Sequence, residues 1–275
     1  MTGNNTFICV MYRDGGAERY SNLQTILKYY HERLPDLEII LVEEDSESKL
    51  KDIPPWVNHV FVKNSGSFNQ GWAVNTAAKI SKRPIGASVC NDAIIKWYAF
   101  FRAEEEVLKN HYACYIPYHR FYDFNQQQTE DFKRNFVFRN NENVLEERYH
   151  NRPDALRAGG IIFFDREALL NIGGFNENFR GWGAEDDEYA FRCKSLGLFG
   201  QVENLDKKFY NASWNLYHLY HSTTVDHKNG NNDSKVNRDL YSKILSYNPE
   251  QIKNLIKELK SNGIGDPKKY LKLEK

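Results

Sequence analysis

The chain lacks the features that mark several classes of protein. Its four cysteines (Cys9, Cys90, Cys114 and Cys193) are scattered without metal-site spacing, which predicts buried free thiols. Its 37 basic and 37 acidic residues cancel, so no overall field attracts nucleic acid or an anionic membrane. It also has no apolar run long enough to span a bilayer. These absences predict a soluble, cytoplasmic protein.

What the chain does have is an alternation of apolar segments. Thr6 to Tyr12 reads as a buried strand, apolar residues then recur at helical spacing from Tyr20 to Leu34, and Leu37 to Val42 reads as a second strand. Strand, helix and strand in this order predict a parallel sheet, in which ligands lie at the carboxyl ends of strands. Three residues at such ends are candidates for nucleotide binding: Tyr12, Arg13 and Asp45.

Further segments extend this α/β pattern. Strands are expected at 57–62, 85–90, 113–118 and 157–164, with helices to about Ile80 and over 97–108. Periodicity is lost over 119–154, which predicts a long loop lying over the acceptor side of a site. Two helical patterns at 235–245 and 249–261 predict a packing appendage.

The most distinctive stretch runs from Gly173 to Glu188. Glycines on both sides of Trp182 let the backbone adopt positive φ and present the indole, whose flat face suits a sugar ring. Four acidic residues, Glu185 to Glu188, follow where a helix begins. They complement the helix dipole, but adjacent carboxylates also raise one another's pKa, as expected beside a cation, a sugar or a proton being transferred.

The segment Gly181-Trp182-Gly183-Ala184-Glu185-Asp186-Asp187 resembles the Gly-Trp-Gly-Gly-Glu-Asp-Asp signature of β-1,4-galactosyltransferases and N-acetylgalactosaminyltransferases, with Ala184 in place of one glycine. The resemblance implies the GT-A fold, a mixed, mostly parallel central sheet flanked by helices. It implies that Asp186 is the catalytic base, with Glu185 beside it, and that three further residues bind the acceptor: Trp182, Asp187 and Phe179. The expected domain is 1–228, with a nucleotide-sugar half at 1–118, an acceptor half at 155–228 and an appendage at 229–275.

The segment beginning at Phe68-Asn69 resembles the Phe-Asn-Arg segment of the same family, whose phenylalanine packs against uracil. By that resemblance Phe68, Asn69 and Asn75 belong to the donor site, although core packing explains Phe68 equally well. Gln70 and Gly15 stand where the family has arginines, which leaves more of the diphosphate to Arg13 and the metal. Arg157, at the position that helps select the donor sugar, predicts a donor other than galactose, with an acidic or smaller sugar.

A metal site follows from the resemblance too. GT-A enzymes bind a divalent cation through an Asp-x-Asp motif at a strand end, and here only Asp92 is present. The family's Met-x-x-His ligand pair corresponds to His218 and His221, so these residues and Asp92 are expected to bind Mn²⁺ or Mg²⁺. In the other register Ile94 takes the ligand position, which argues against metal binding; Asp92 also suits a helix cap, and paired histidines are often structural.

The sequence therefore predicts a metal-dependent inverting glycosyltransferase that moves a sugar from a UDP-sugar donor to an acceptor hydroxyl. The acceptor classes are a glycan, a polysaccharide, a protein or a modified nucleobase. Because eukaryotic relatives carry a membrane anchor, its absence favours a bacterial or viral relative. Two alternatives stay open: a lapsed enzyme that binds sugar nucleotide or glycan without turnover, and a metal-dependent nucleotidyl or phosphoryl transferase.

Overall fold

The structure, a computed structural model, describes residues 4–138, 146–148, 158–202, 214–222 and 232–266. The strands within these ranges are β1 (Thr6–Tyr12), β2 (Glu38–Asp45), β3 (Val57–Lys63), β4 (Ile85–Cys90), β5 (Ala93–Ile95), β6 (Cys114–Ile116), β7 (Arg120–Asp123), β8 (Glu146–Glu147), β9 (Ile161–Asp165), β10 (Phe199–Gln201) and β11 (Asn215–His218). The helices are α1 (Ala17–Arg33), α2 (Gln70–Ile80), α3 (Trp97–Asn110), α4 (Gln126–Asn135), α5 (Arg166–Asn171), α6 (Glu185–Ser195), α7 (Asn232–Leu245) and α8 (Pro249–Ser261).

A mostly parallel sheet forms the centre of the molecule. Among the described residues it has seven strands in the order β10-β6-β9-β4-β1-β2-β3, with β9 antiparallel to both of its neighbours. β1 pairs in parallel with β2 and β4, so the ends of these three strands meet at one edge. The near-continuous apolar sequences of β1, β2 and β4 are buried, as expected of strands covered by helices on both faces. The predicted mixed α/β fold is confirmed.

A second, smaller sheet crosses the carboxyl end of β4. It has the order β5-β11-β7-β8 within the described residues, and β5 follows β4 after a turn of two residues, Asn91 and Asp92. β11 pairs antiparallel to β5 with His218 opposite Ala93, and the Leu219 amide donates to the Asp92 carbonyl at 2.7 Å. This register brings the end of β11 against the turn that contains Asp92.

The region 119–154 differs from its prediction as a long loop. Residues 120–123 form β7, in parallel with β11, and Gln126–Asn135 form α4. Asn125 starts α4 with a capping box, in which its side chain accepts from the Gln128 amide and Gln128 reaches back to the Asn125 amide. The polar composition of α4 hid its helical pattern, while Asn125 and Gln128 were the available signal. Residues 139–145 and 149–157 of this region lie outside the described residues.

The C-terminal helices pack on the acidic segment rather than standing apart. A second apolar cluster joins Phe179 to residues of α7 and α8, and its buried members are Phe179, Ile244, Ile252, Leu255 and Leu259. Asn237 of α7 donates to the Arg180 carbonyl at 2.8 Å and to the Trp182 carbonyl at 3.4 Å. α7 thus supports the turn that presents Trp182. The division of the chain at 228/229 stays a prediction.

Within the described residues all four cysteines are free, three of them buried and Cys90 half-buried. The same part of the chain contains no helix with both the length and the apolar character needed to cross a membrane.

Candidate active site: a cation-binding triad beside an acidic helix turn

Asp92, His218 and His221 come together at the end of β4. One ligand atom from each lies within 4.8 Å of the others. His221 Nε2 is 3.2 Å from Asp92 Oδ2, and His218 Nε2 is 3.5 Å from Asp92 Oδ1. The register in which Ile94 takes the ligand position is wrong, because Ile94 is wholly buried in β5. We refer to Asp92, His218 and His221 as the triad.

Both imidazoles of the triad are oriented by acceptors on their other nitrogen. His218 Nδ1 lies 3.1 Å from Asp123 Oδ1, and His221 Nδ1 lies 3.1 Å from the Ser222 carbonyl. Because Nδ1 of each ring donates to these oxygens, each Nε2 faces Asp92, where it can bind a cation in place of a proton. Histidine metal ligands are held in this way by carboxylates and carbonyls. One hard oxygen and two imidazole nitrogens suit Mn²⁺, so the residues present fit a divalent cation.

The charges within the triad are mutually stabilised. Burial opposes ionisation of Asp92, which is 5% exposed, but the charges of and hydrogen bonds from His218 and His221 hold the pKa of Asp92 well below its usual range. Burial lowers the pKa of His218, but Asp92 and Asp123 outweigh it and raise that pKa above its ordinary value. Asp92 is therefore an anion at neutral pH, as a cation ligand must be.

Asp123 was not identified from the sequence, because it lies in the segment predicted to be a loop. It ends β7 beside His218, and Arg148 donates to both of its carboxylate oxygens, from Nε at 2.9 Å and from Nη2. Burial opposes its charge, yet hydrogen bonds from His218 and Arg148 lower the pKa of Asp123 to about 2. Asp123 is an anion that fixes the His218 ring.

Replacing Asp123 with alanine should weaken Mn²⁺ binding about 10–100-fold, because His218 loses the acceptor that sets its tautomer. Titration of Mn²⁺ by electron paramagnetic resonance measures this. Arg148→Ala is the matched control, since it leaves the Asp123–His218 hydrogen bond in place and should change the affinity much less. Equal Mn²⁺ affinity in Asp123→Ala and the wild type would show that this hydrogen bond does not organise the site.

The acidic turn at the start of α6 contains three carboxylates in a partly exposed position. Its fourth acid, Glu188, is fully buried and pairs with Arg192 at 2.7 Å, so it is a structural residue. Burial, then Glu185 and Asp187, raise the pKa of Asp186 well above its ordinary value. Burial, then the charge of Asp187, raise the pKa of Glu185 to about 7. A carboxyl group with a raised pKa is a stronger base when ionised.

Gln70 holds the Asp186 carboxylate. Its Nε2 donates to Asp186 Oδ1 at 2.9 Å, and a side chain at Gly159 would lie 3.6 Å from Asp186 Oδ2. The sequence identified Gln70 only as a departure from an arginine. In the structure its neutral amide orients Asp186 without adding a positive charge that would lower the base's pKa.

The triad and the acidic turn face the same region of the molecule. Cys90, two residues before Asp92, has a thiol whose pKa is raised by burial and then by the carboxylates of Asp92, Asp186 and Glu185. The Asp186 carboxylate also lies beside Gly159, the residue before Gly160. The amide of Cys90 also bonds the Gly160 carbonyl, which fixes β4 beside the start of β9. Trp182, 63% exposed, stands at the edge of the acidic turn.

The predicted donor side is organised differently from expectation. Asn69 and Asn75 are fully buried, and both are hydrogen-bonded to the 175–177 turn. Asn69 also caps α2 by accepting from the Trp72 amide. Both side chains are thus held by the fold, and their assignment to donor binding stays a prediction.

Arg13 is engaged by the protein. Its guanidinium donates to the carbonyls of Glu44, Gly66 and Asn64, at 2.8, 2.6 and 3.0 Å, and lies 5.8 Å from the Phe68 ring centroid. Burial raises the pKa of Glu44, which accepts hydrogen bonds from Asn64 and the Asn69 amide, to about 7. These contacts show that Arg13 stabilises the loop that contains Phe68.

Tyr12 and Asp45 do lie at the carboxyl ends of neighbouring strands. Tyr12 is buried, whereas Asp45 is half-buried and accepts from the Asp14 amide at 3.3 Å. Phe68 is partly buried beside Arg13, and the Gly181 amide donates to its carbonyl at 2.7 Å. The donor roles of these three residues stay predictions. Arg157 lies outside the described residues.

Phe179 was expected to bind the acceptor, and that role stays a prediction. It is 2% exposed and packs in the cluster with the C-terminal helices. Its burial anchors the segment from which Trp182 projects. Asp187 is half-buried, and its acceptor role stays a prediction.

Part of the chain matches a known protein family. Residues 143–222 match the family model described as the N-terminal domain of galactosyltransferase. The chain resembles the galactosyltransferases. That segment contains the whole acidic turn and both histidines of the triad, so the resemblance predicted from the sequence is confirmed. A search of curated proteins found no match.

A solved structure supports the predicted GT-A fold. A mannosyltransferase from Pyrobaculum calidifontis, in complex with GDP-Man and Mn²⁺, is 14% identical with a TM-score of 0.50, over 95% of this chain and 70% of that one. A Drosophila β1,4-galactosyltransferase 7, in complex with manganese, UDP-Gal and xylobiose, is 12% identical with a TM-score of 0.47, over 79% and 71%. The likeness to the mannosyltransferase supports the predicted fold, and the resemblance to glycosyltransferases rests on the family match.

Proposed function

We propose that this galactosyltransferase-like chain transfers a sugar from a UDP-sugar to an acceptor hydroxyl, with inversion at the anomeric carbon and with Mn²⁺ or Mg²⁺ as cofactor. The observation that supports it most is that the triad follows β4 at the same place where Asp186 approaches Gly159 and the Gly160 carbonyl accepts from the Cys90 amide. A cation site and a basic carboxylate on either side of one gap are what an inverting sugar transfer requires.

Asp186 is the proposed general base. It accepts the proton of the acceptor hydroxyl while that oxygen forms a bond to the anomeric carbon. The bond from the anomeric carbon to the diphosphate oxygen breaks, and UDP leaves with the electron pair. Gln70 orients Asp186, and the partly exposed carboxylates of Glu185 and Asp187 position sugar hydroxyls.

The triad is the proposed holder of the cation. When bound there, a divalent cation supplies positive charge for the leaving diphosphate. The chain's own contribution is the arrangement of Asp92, His218 and His221 by Asp123 and the Ser222 carbonyl. Trp182 supplies an exposed aromatic face against which a sugar ring of the acceptor stacks.

The test is turnover of a panel of UDP-sugars with Mn²⁺, with chelator as control, measured as UDP release with and without oligosaccharide acceptors. The proposal expects metal-dependent UDP release that acceptors accelerate. Arg157 favours a donor with an acidic or smaller sugar, and preference for UDP-galactose would reject that part. A panel that includes GDP-mannose tests the assignment of uridine.

A lapsed enzyme is the alternative, and the engagement of Arg13 by three carbonyls favours it. Such a protein binds UDP with Mn²⁺ in calorimetry and releases no UDP from any donor. The proposed transferase binds UDP with Mn²⁺ and also releases UDP from its donor.

The acidic turn should carry a cost in stability. The pKa of Glu185 is raised to about 7, so the folded protein keeps this proton to a higher pH than the unfolded chain does. The free energy of unfolding therefore falls as pH rises from about 4.5 to about 7. Glu185→Gln should therefore raise the free energy of unfolding of the metal-free protein by about 1–3 kcal/mol at pH 8 and by little at pH 4.5.

Urea denaturation at both pH values measures this effect. Glu167→Gln, an exposed acid of α5, is the control and should stay within about 0.5 kcal/mol of the wild type. If Glu185→Gln lowered the free energy of unfolding at pH 8, the ionised Glu185 side chain would not destabilise the folded protein as argued.

A further inference from the structure

Arg19, in the first turn of α1, lies beside the triad. Its Nη1 is 3.9 Å from Asp92 Oδ2, too far for a hydrogen bond, and its side chain is 21% exposed. Its Nε is buried with no hydrogen-bond partner. A buried donor without an acceptor costs about 1–3 kcal/mol, and a bound ligand that accepts a hydrogen bond from Arg19 would remove that cost.

Gly15 makes room for this side chain. A Cβ at Gly15 would overlap Cδ of Arg19 and lie 3.0 Å from its Nε. The glycine therefore allows the arginine to fold back over the β1–α1 turn towards Asp92. This turn follows the carboxyl end of β1, the edge of the sheet at which phosphates are bound in such folds. Gly15 had been interpreted from the sequence only as a lost arginine.

The surroundings of Arg19 point to an anion. Arg13 is already held by three carbonyls, whereas Arg19 has its Nη1 3.9 Å from Asp92 of the triad. A diphosphate bound at this turn would present oxygens to Arg19, and a guanidinium binds such oxygens through two parallel hydrogen bonds.

We propose that Arg19 binds the diphosphate of the donor nucleotide, in a place that Gly15 opens for it. The inference rests on the proposed function, because it needs a nucleoside diphosphate at this turn. It assigns the cationic contact to α1 rather than to Arg13.

The test is calorimetry of UDP and uridine with Mn²⁺ present. Arg19→Ala should weaken UDP binding about 10–100-fold, while uridine, which has no diphosphate, should bind within about twofold of the wild type. Arg19→Lys keeps the positive charge but loses the planar guanidinium, so its UDP affinity should lie between those of the wild type and Arg19→Ala. Arg33→Ala, an exposed arginine in the last turn of the same helix, is the matched control and should bind UDP as the wild type does.

Gly15→Ala is an independent variant that displaces Arg19 without removing it, and it should weaken UDP binding in the same direction. Mn²⁺ affinity, measured by electron paramagnetic resonance, separates a ligand of phosphate from a support of Asp92. Removing a positive charge near Asp92 should leave Mn²⁺ affinity unchanged or slightly tighter, and a loss of Mn²⁺ binding in a folded Arg19→Ala would overturn the proposal.

The failures are distinguishable. Wild-type protein that binds Mn²⁺ but neither UDP nor any other nucleoside diphosphate overturns the proposed function and this inference together. Wild-type binding of UDP that persists unchanged in Arg19→Ala and Gly15→Ala overturns the role of Arg19 alone. Circular dichroism verifies that each variant is folded.

Discussion

Asp186→Asn is expected to lower the rate of sugar transfer about 10²–10⁴-fold while UDP and Mn²⁺ bind nearly as in the wild type. The amide keeps the shape of the carboxylate and can still contact Gln70, but it cannot accept the acceptor's proton. Single-turnover kinetics with the best donor measure the loss. The result follows from Asp186 alone only if the substitution leaves α6 intact, which the unchanged nucleotide affinity reports.

The same substitution on the surface is the control. Asp239→Asn, at an exposed position of α7, should transfer sugar at the wild-type rate. The pH profile adds a second readout, because Asp186 has a raised pKa and acts as a base only when ionised. The wild-type rate should rise with pH until Asp186 has lost its proton, and the residual rate of Asp186→Asn should lack that rise. Retained turnover in the variant would assign the base elsewhere.

Removing both imidazoles of the triad is expected to abolish Mn²⁺ binding and, with it, metal-dependent transfer. In His218→Ala/His221→Ala only Asp92 remains, and one carboxylate without neighbouring ligands binds Mn²⁺ weakly. The Mn²⁺ affinity should fall at least about 100-fold, as judged by electron paramagnetic resonance, and the UDP affinity measured with Mn²⁺ should fall to its metal-free value.

His111→Ala controls for the loss of a histidine, since His111 is exposed and pairs with Asp165 away from the triad. It should bind Mn²⁺ like the wild type. Each single variant, His218→Ala and His221→Ala, should show an intermediate affinity. If the double variant still binds Mn²⁺ tightly, the cation site is elsewhere and the triad is a structural ion-pair cluster.

The sequence predicted the sheet and most helices because their signals are local. β1 and β4 have the predicted bounds, since each is a continuous apolar run that ends in polar residues. The missed elements are those whose pattern depends on contacts distant in the chain. β5 and β7 are short strands that exist because β11 pairs between them, and α4 buries little of its surface.

Site residues with a local sequence signal were likewise predicted, and those that depend on distant contacts were not. The triad could be proposed from the spacing of His218 and His221 and the strand end before Asp92, because a family resemblance linked the segments. The sequence does not show whether a polar side chain binds a ligand or forms hydrogen bonds within the fold. Asn75 and Arg13 both bond backbone carbonyls of segments far along the chain, a fact that only the tertiary structure contains. Arg19 was overlooked because its significance depends on Gly15 and Asp92 together.

Anomalous diffraction from crystals of the wild type soaked with Mn²⁺ and UDP tests the central claim most directly. The account predicts one strong manganese peak in contact with Asp92, His218 and His221, with diphosphate oxygens completing its coordination and the Asp186 carboxylate facing it across space for one sugar ring. A peak held by Glu185 and Asp187, or a triad that stays free of metal while UDP binds elsewhere, would contradict it.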